Sequence, residues 1–178
     1  MAHDPLEYLQ SVWHRSTSYT YRMPFKIDAS IANADEMEFA AYSRLGEEIG
    51  LAFHVIDDQI NVVPLTEERS KTTAEDIAAG TVTLQVLLIL QRADRNRAAE
   101  LVRILRASTT DQRELRNAVS IMRECGALIE ARAIVGQHLD ACLRIISNMN
   151  FLHSNDSELW CSFIPYFSNR DRWKEASP

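Results

Sequence analysis

The chain has 178 residues, 46% hydrophobic and 25% charged, with only five Gly and five Pro. That composition suits one soluble globular domain with a sizeable core and excludes collagen-like, linker-rich and disordered classes. The formal net charge is −6 with acidic and basic residues interspersed, which argues against a nucleic-acid partner or an anionic membrane surface.

The N-terminal "MAHDPLEYLQ" lacks the basic-then-apolar order of a signal peptide. Pro5 to Ala34 is expected to hold two helices around "HRSTSYT", with Pro24 kinking or breaking the second. Asp35 to Asn61 is the clearest helix. Tyr42, Leu45, Ile49, Ala52, Phe53, Ile56 and Ile60 recur at spacings of three and four, an apolar stripe facing a core. Pro64 ends it. "INVVPL" is the one β-like run and is short. "KTTAEDIAAG" (Lys71 to Gly80) reads as polar, with a short helical turn near Asp76. Thr83 to Arg92 reads as a buried helix; its "VLLIL" (Val86 to Leu90) is the longest apolar run, far short of a membrane span. Arg97 to Ala107 is amphipathic. Thr110 or Asp111 caps the next helix, which runs to about Cys125, where Gly126 interrupts it. Ala127 to Met149 is a long amphipathic helix through Leu128, Ile134, Leu139, Leu143 and Ile146, and Asn155 to Asn169 closes the fold. The expectation is a single all-α domain over residues 1–178, a helical bundle.

Cys125, Cys142 and Cys161 are widely spaced and read as inert, reduced thiols of a cytoplasmic protein. With no Cys-x-x-Cys and five scattered His, a zinc site is not expected. Trp13, Trp160 and Trp173 read as packing residues.

The chemistry concentrates at "GLAFHVIDDQIN", Gly50 to Asn61. At roughly 100° per residue, Glu47, Gly50, His54, Asp57, Asp58 and Asn61 share one helical face. Adjacent carboxylates in a last turn repel each other and oppose the helix dipole, each at about 0.3–1 kcal/mol. A hard cation such as Mg²⁺ offsets that, taking carboxylate oxygens and keeping waters exchangeable for phosphate oxygens. Solvation or an Arg salt bridge is the bland alternative. His54, on the same face, suits a hydrogen bond to Asp57 or Asp58.

Downstream come Lys71, Asp76 and "GTVTL" (Gly80 to Leu84); upstream lies "RSTSYTYRMPFKI" (Arg15 to Ile27). In that order these stretches resemble the C-terminal half of the polyprenyl synthetase family, the trans-isoprenyl diphosphate synthases. The family pattern has Lys-Thr before a "YT" helix, then Gly-x-x-Phe-Gln-x-x-Asp-Asp-x-x-Asp, then Gly-Lys-x-x-x-x-Asp and Gly-Lys-x-Thr-Leu. The late "ECGALIEARAIVGQHLDACLRII" resembles the family's Gly-Ala helix. The match runs from about Ser11 to Arg170.

The resemblance implies an all-α isoprenoid synthase fold acting in isoprenoid biosynthesis. It implies Mg²⁺-dependent prenyl transfer between an allylic diphosphate and isopentenyl diphosphate, inside a homo- or hetero-oligomer. By the same resemblance Asp57, Asp58 and Asn61 are metal ligands. Arg15, Ser16, Lys71 and Asp76 face the diphosphate, and Phe53 and His54 line the isoprenoid site. The sequence departs from the pattern at Asn61 for Asp, His54 for Gln, Thr81 for Lys, Arg15 for Lys and Ser16 for Thr. The family's first Asp-rich motif has no counterpart here, so prenyl transfer is expected to need a partner carrying it. The alternative is a non-catalytic helical subunit or degenerate homologue acting in assembly or regulation; a terpene cyclase fits the Lys71 to Leu84 stretch less well.

Overall fold

The computed structural model describes residues 4–62, 74–149 and 154–168, which are helical almost throughout and contain no strand. In chain order the elements are α1 (Pro5–Val12), a π-helical segment (Trp13–Arg22), α2 (Met23–Ile31), α3 (Glu36–Val62), α4 (Glu75–Ala78), α5 (Leu84–Arg92), α6 (Arg95–Ala107), α7 (Gln112–Glu124), α8 (Ala127–Ser147) and α9 (Ser154–Ser168). The all-α expectation holds. So does the short turn at Asp76, which is α4. Ile60–Val62 of the β-like run close α3, and the rest of that run lies outside the described residues.

The N-terminal stretch is the main departure. Two α-helices flank "HRSTSYT" as expected, but the stretch between them is a wide π-helix rather than a break. Its flanking residues Val12 and Met23 are both right-handed helical, and the Met23 N–H reaches back five residues to the Ser18 carbonyl. Pro24 sits in the first turn of α2, where a missing N–H does least harm, instead of breaking the helix in its middle. Boundaries elsewhere move by a residue or two. Asp94 caps α6 through Asn96 N and Arg97 N, so that helix starts before Arg97. Asp111, not Thr110, caps α7 by accepting from Arg113 N. Gly126, at φ +71°, makes the left-handed turn that separates α7 from α8.

The described residues form two compact units. The first holds 4–8, 55–62 and 74–133. Its core includes Val55, Ile56, Leu84, Ile89, Leu101, Ile104, Ala118 and Met122. α5 is buried on nearly every side, as its apolar run requires, while α6 and α7 pack on each other with α4 and α5 against them. Two buried glutamines tie backbone across this core. Gln59 Nε2 donates to the Leu128 carbonyl at 2.8 Å and Gln85 Nε2 to the Val55 carbonyl at 3.4 Å. On its surface Arg103 bridges Glu100 and Glu114, at 2.9 Å to each.

The second unit holds 9–54, 134–149 and 154–168. Here the π-helical segment and α2 lie close on the first half of α3. A Cβ on Gly46 would come within 3.0 Å of the Arg22 Cα, and one on Gly50 within 2.6 Å of Thr17 Cγ2 and 2.9 Å of a Tyr21 ring carbon. Thr17 is fully buried and branched at Cβ, so it has little room to yield. Gly50→Ala is therefore expected to lower stability by about 1–3 kcal/mol in urea unfolding; a loss below about 0.5 kcal/mol would show that the contact relaxes freely.

Candidate functional site

The acidic end of α3 lies in the first unit. Asp57 is exposed and Asp58 half-buried. The phenol of Tyr8, nearly buried in α1, donates to Asp58 Oδ2 at 2.6 Å, the length of a charge-assisted O–H···O⁻ bond. Three residues on, Asn61 Nδ2 donates to Asp76 Oδ2 at 3.0 Å. A backbone bond also anchors each member of the pair separately. The Ala74 N–H donates to the Asn61 carbonyl, and the Thr81 N–H to the Asp76 carbonyl at 2.7 Å. Ala74 takes a left-handed conformation (φ +68°) to turn into α4, which brings Asp76 back to the end of α3.

The structure thus joins Asn61 to Asp76 and adds Tyr8, which sequence reading missed. Tyr8 lies fifty positions from Asp58; the available signal was its i,i+4 spacing to buried Val12 on α1. Among the described residues no group of three or more His, Cys, Asp or Glu is placed to hold a metal ion. The donor set is two carboxylates on consecutive residues plus an amide whose nitrogen is already turned to Asp76. It fits Mg²⁺ only in the mode in which phosphate and water complete the coordination.

Phe53 and His54 belong to the second unit. Phe53 borders an apolar cavity of about 310 Å³, together with Tyr21, Phe25 and Ile49 and, from α9, Trp160 and Phe163. The rings pair across it: Tyr21 to Phe53 at 5.4 Å, Phe25 to Trp160 at 5.7 Å and Trp160 to Phe163 at 5.9 Å between centroids. Trp160, expected only to pack, is a cavity wall. His54 stands edge-on to Phe53. Arg15 and Ser16 lie on the π-helical segment, Arg15 exposed and Ser16 half-buried. Lys71 lies outside the described residues. Glu47, on the predicted acidic face, lines a separate polar cavity beside Arg22 and Lys26.

The thiols divide by environment. Burial pushes the Cys142 thiol up to about 12, with the nearby Glu48 charge adding to it, whereas Cys161 is exposed.

An all-α chain whose long helix ends in paired aspartates is the class defined so far. The Polyprenyl synthetase family model matches residues 3–122, and the chain belongs to that family. It is 31% identical over 133 residues to a short chain isoprenyl diphosphate synthase of Methanothermobacter thermautotrophicus, covering 75% of this chain and 40% of that protein. Its fold is that of heptaprenyl diphosphate synthase from Staphylococcus aureus, with a TM-score of 0.80 at 19% identity over 93% of this chain and 50% of that one. It is also that of geranylgeranyl pyrophosphate synthase from Corynebacterium glutamicum, solved with isoprenyl diphosphate and magnesium, with a TM-score of 0.74 at 22% identity over 86% and 43%. The chain spans about two fifths of the length of the curated relatives it matches. No described helix is long and apolar enough to cross a membrane.

Two outcomes follow from this geometry. Asn61→Asp would set a second carboxylate against Asp76, so it should cost about 1–2 kcal/mol in metal-free unfolding, and Mg²⁺ should recover part of that loss in the variant alone. An unchanged unfolding midpoint would mean that the Asn61–Asp76 bond does not form. A thiolate-seeking reagent should label Cys161 in the folded chain and reach Cys142 only after unfolding, as read by mass spectrometry of the digested peptides.

Proposed function

We propose that this chain supplies the C-terminal half of an isoprenyl diphosphate synthase. It would take part in Mg²⁺-dependent prenyl transfer from an allylic diphosphate to isopentenyl diphosphate. The observation that carries the reading is the Asp57–Asp58 pair closing α3, with the Tyr8 phenol holding Asp58, in a chain of the polyprenyl synthetase family. Family membership and the names of the relatives support the substrate class. The magnesium and isoprenyl diphosphate of the Corynebacterium structure support the cofactor.

The residue roles follow from their chemistry. Asp57 and Asp58 would hold Mg²⁺, and Asn61 would add an amide oxygen. The ion would supply charge neutralisation for a diphosphate leaving group. The Tyr8 hydroxyl fixes the Asp58 carboxylate, so the ligand is pre-oriented. Arg15, Ser16 and Lys71 donate to diphosphate oxygens, where Arg offers a planar fork and Lys a point charge. Asp76 holds Asn61 in place. Phe53 and Tyr21 offer aromatic faces to the allylic chain and to the cation left on it. One Asp pair, with water in its other positions, holds Mg²⁺ weakly. A second acidic motif, which these 178 residues do not contain, would complete the clamp.

A second reading, a non-catalytic subunit, draws on one observation. Asn61 donates to Asp76 and so satisfies that carboxylate with an amide where the family pattern has a third Asp. The two readings separate in one assay: the chain, alone and with candidate partners, plus Mg²⁺, an allylic diphosphate and labelled isopentenyl diphosphate. The catalytic reading expects chain elongation in at least one combination, reduced about 100-fold or more by Asp57→Asn with Asp58→Asn. Elongation in none of them leaves the subunit reading standing.

A further inference from the structure

A second cavity, of about 470 Å³, lies wholly within the second unit and uses none of the residues assigned above. Arg22 from the π-helical segment, Lys26 from α2, and Ser43, Arg44, Glu47 and Glu48 from α3 line it. We propose that it is a metal-independent site for a phosphate-class oxyanion.

Arg22 is fixed on two sides. Its Nε donates to Ser43 Oγ at 2.9 Å, and its guanidinium carbon lies 5.4 Å from the centre of the Trp13 ring. A guanidinium held this way keeps its terminal N–H groups for a planar or tetrahedral oxyanion and loses little entropy on binding one. Lys26 sits one turn further on, with its ammonium 5.1 Å above the Phe39 ring. Among the described residues neither cation meets a carboxylate at ion-pair distance. Ser43 is buried and spends an oxygen lone pair on Arg22, so its own O–H remains a donor.

The opposing charge is mostly committed elsewhere. Glu48 bonds His138 at 2.7 Å and meets Arg44 at 3.9 Å. That leaves Glu47 as the carboxylate set against Arg22 and Lys26. With Arg44 and Glu48 set against each other, Arg22, Lys26 and a hydroxyl donor face Glu47 alone, a net positive set that matches an anion. A neutral ligand would leave the net positive charge of Arg22, Lys26 and Glu47 unbalanced. Glu47 then acts as a brake on affinity, which gives the site a signature of opposite signs.

Calorimetric titration of the full chain with inorganic diphosphate, in EDTA and at low ionic strength, tests this. Saturable binding is expected, weakened about tenfold or more by Arg22→Met and by Lys26→Met, and strengthened by Glu47→Gln. Circular dichroism checks that each variant folds. If Arg22→Met does not, the opposite effects of Lys26→Met and Glu47→Gln still decide the matter. Absent saturable binding in EDTA, or binding indifferent to Lys26 and Glu47, overturns the site. Binding seen only with Mg²⁺ overturns it too and points to the acidic end of α3. Failure here leaves the prenyl-transfer reading untouched, because the two rest on different residues.

Discussion

The close approach at Gly46 and Gly50 governs what the second unit can build. Two glycines one turn apart remove the side chains that would hold the π-helical segment and α2 away from α3. With that separation closed, Tyr21 reaches Phe53 and Arg22 reaches Ser43. Both cavities described above follow from those contacts. One is walled by aromatic rings and the other by charges, and they share the same pair of packed elements. A single methyl at Gly50 acts on both, because it presses on Thr17 and Tyr21 together. The wide π segment belongs to the same solution. A π turn rotates successive side chains by less than an α turn does, so Trp13 and Arg22, nine residues apart, come to stack on each other.

The acidic end of α3 meets a different constraint. Carboxylates at a helix C-terminus oppose the dipole and need an offset. The first unit supplies neutral donors: a phenol for Asp58 and an amide for Asp76. Such bonds hold side-chain positions without cancelling charge, so the end stays ordered and stays negative. Asn61 is decisive here. With Asp in its place, two anions would face each other across hydrogen-bond distance, and a cation or a proton would be needed to hold them. The amide removes that need at Asp76.

Much of this was legible in the sequence. The apolar stripe of α3, the buried run of α5, the Asp111 cap and the Gly126 break are local signals, carried by spacing within one element. Leu45, Ile49, Ala52 and Ile56 are buried as the stripe requires. What sequence reading could not supply depends on contacts between elements. The π register has no distinctive residue pattern, because α and π turns both tolerate "HRSTSYT" and packing against α3 selects between them. Tyr8 meets Asp58 across fifty positions. Glu47 shares a helical face with Asp57 on a wheel, yet its neighbours are Arg22 and Lys26, which a wheel drawn for α3 alone cannot contain.

The charges along α3 therefore divide into committed and uncommitted ones, and that division bears on mechanism. Glu36 and Glu38 sit in the first turn, where the dipole favours them. Glu48 is held by His138, and Asp58 by Tyr8. Asp57 is exposed to solvent at the opposite end of the dipole. A solvated carboxylate has no fixed orientation to give up, whereas Asp58 has its geometry already set by the phenol. The pair is asymmetric for that reason. Under the proposed Mg²⁺ role, Asp57 would govern how readily a cation is captured and Asp58 where it sits, so single substitutions at the two positions should differ in kind as well as in size.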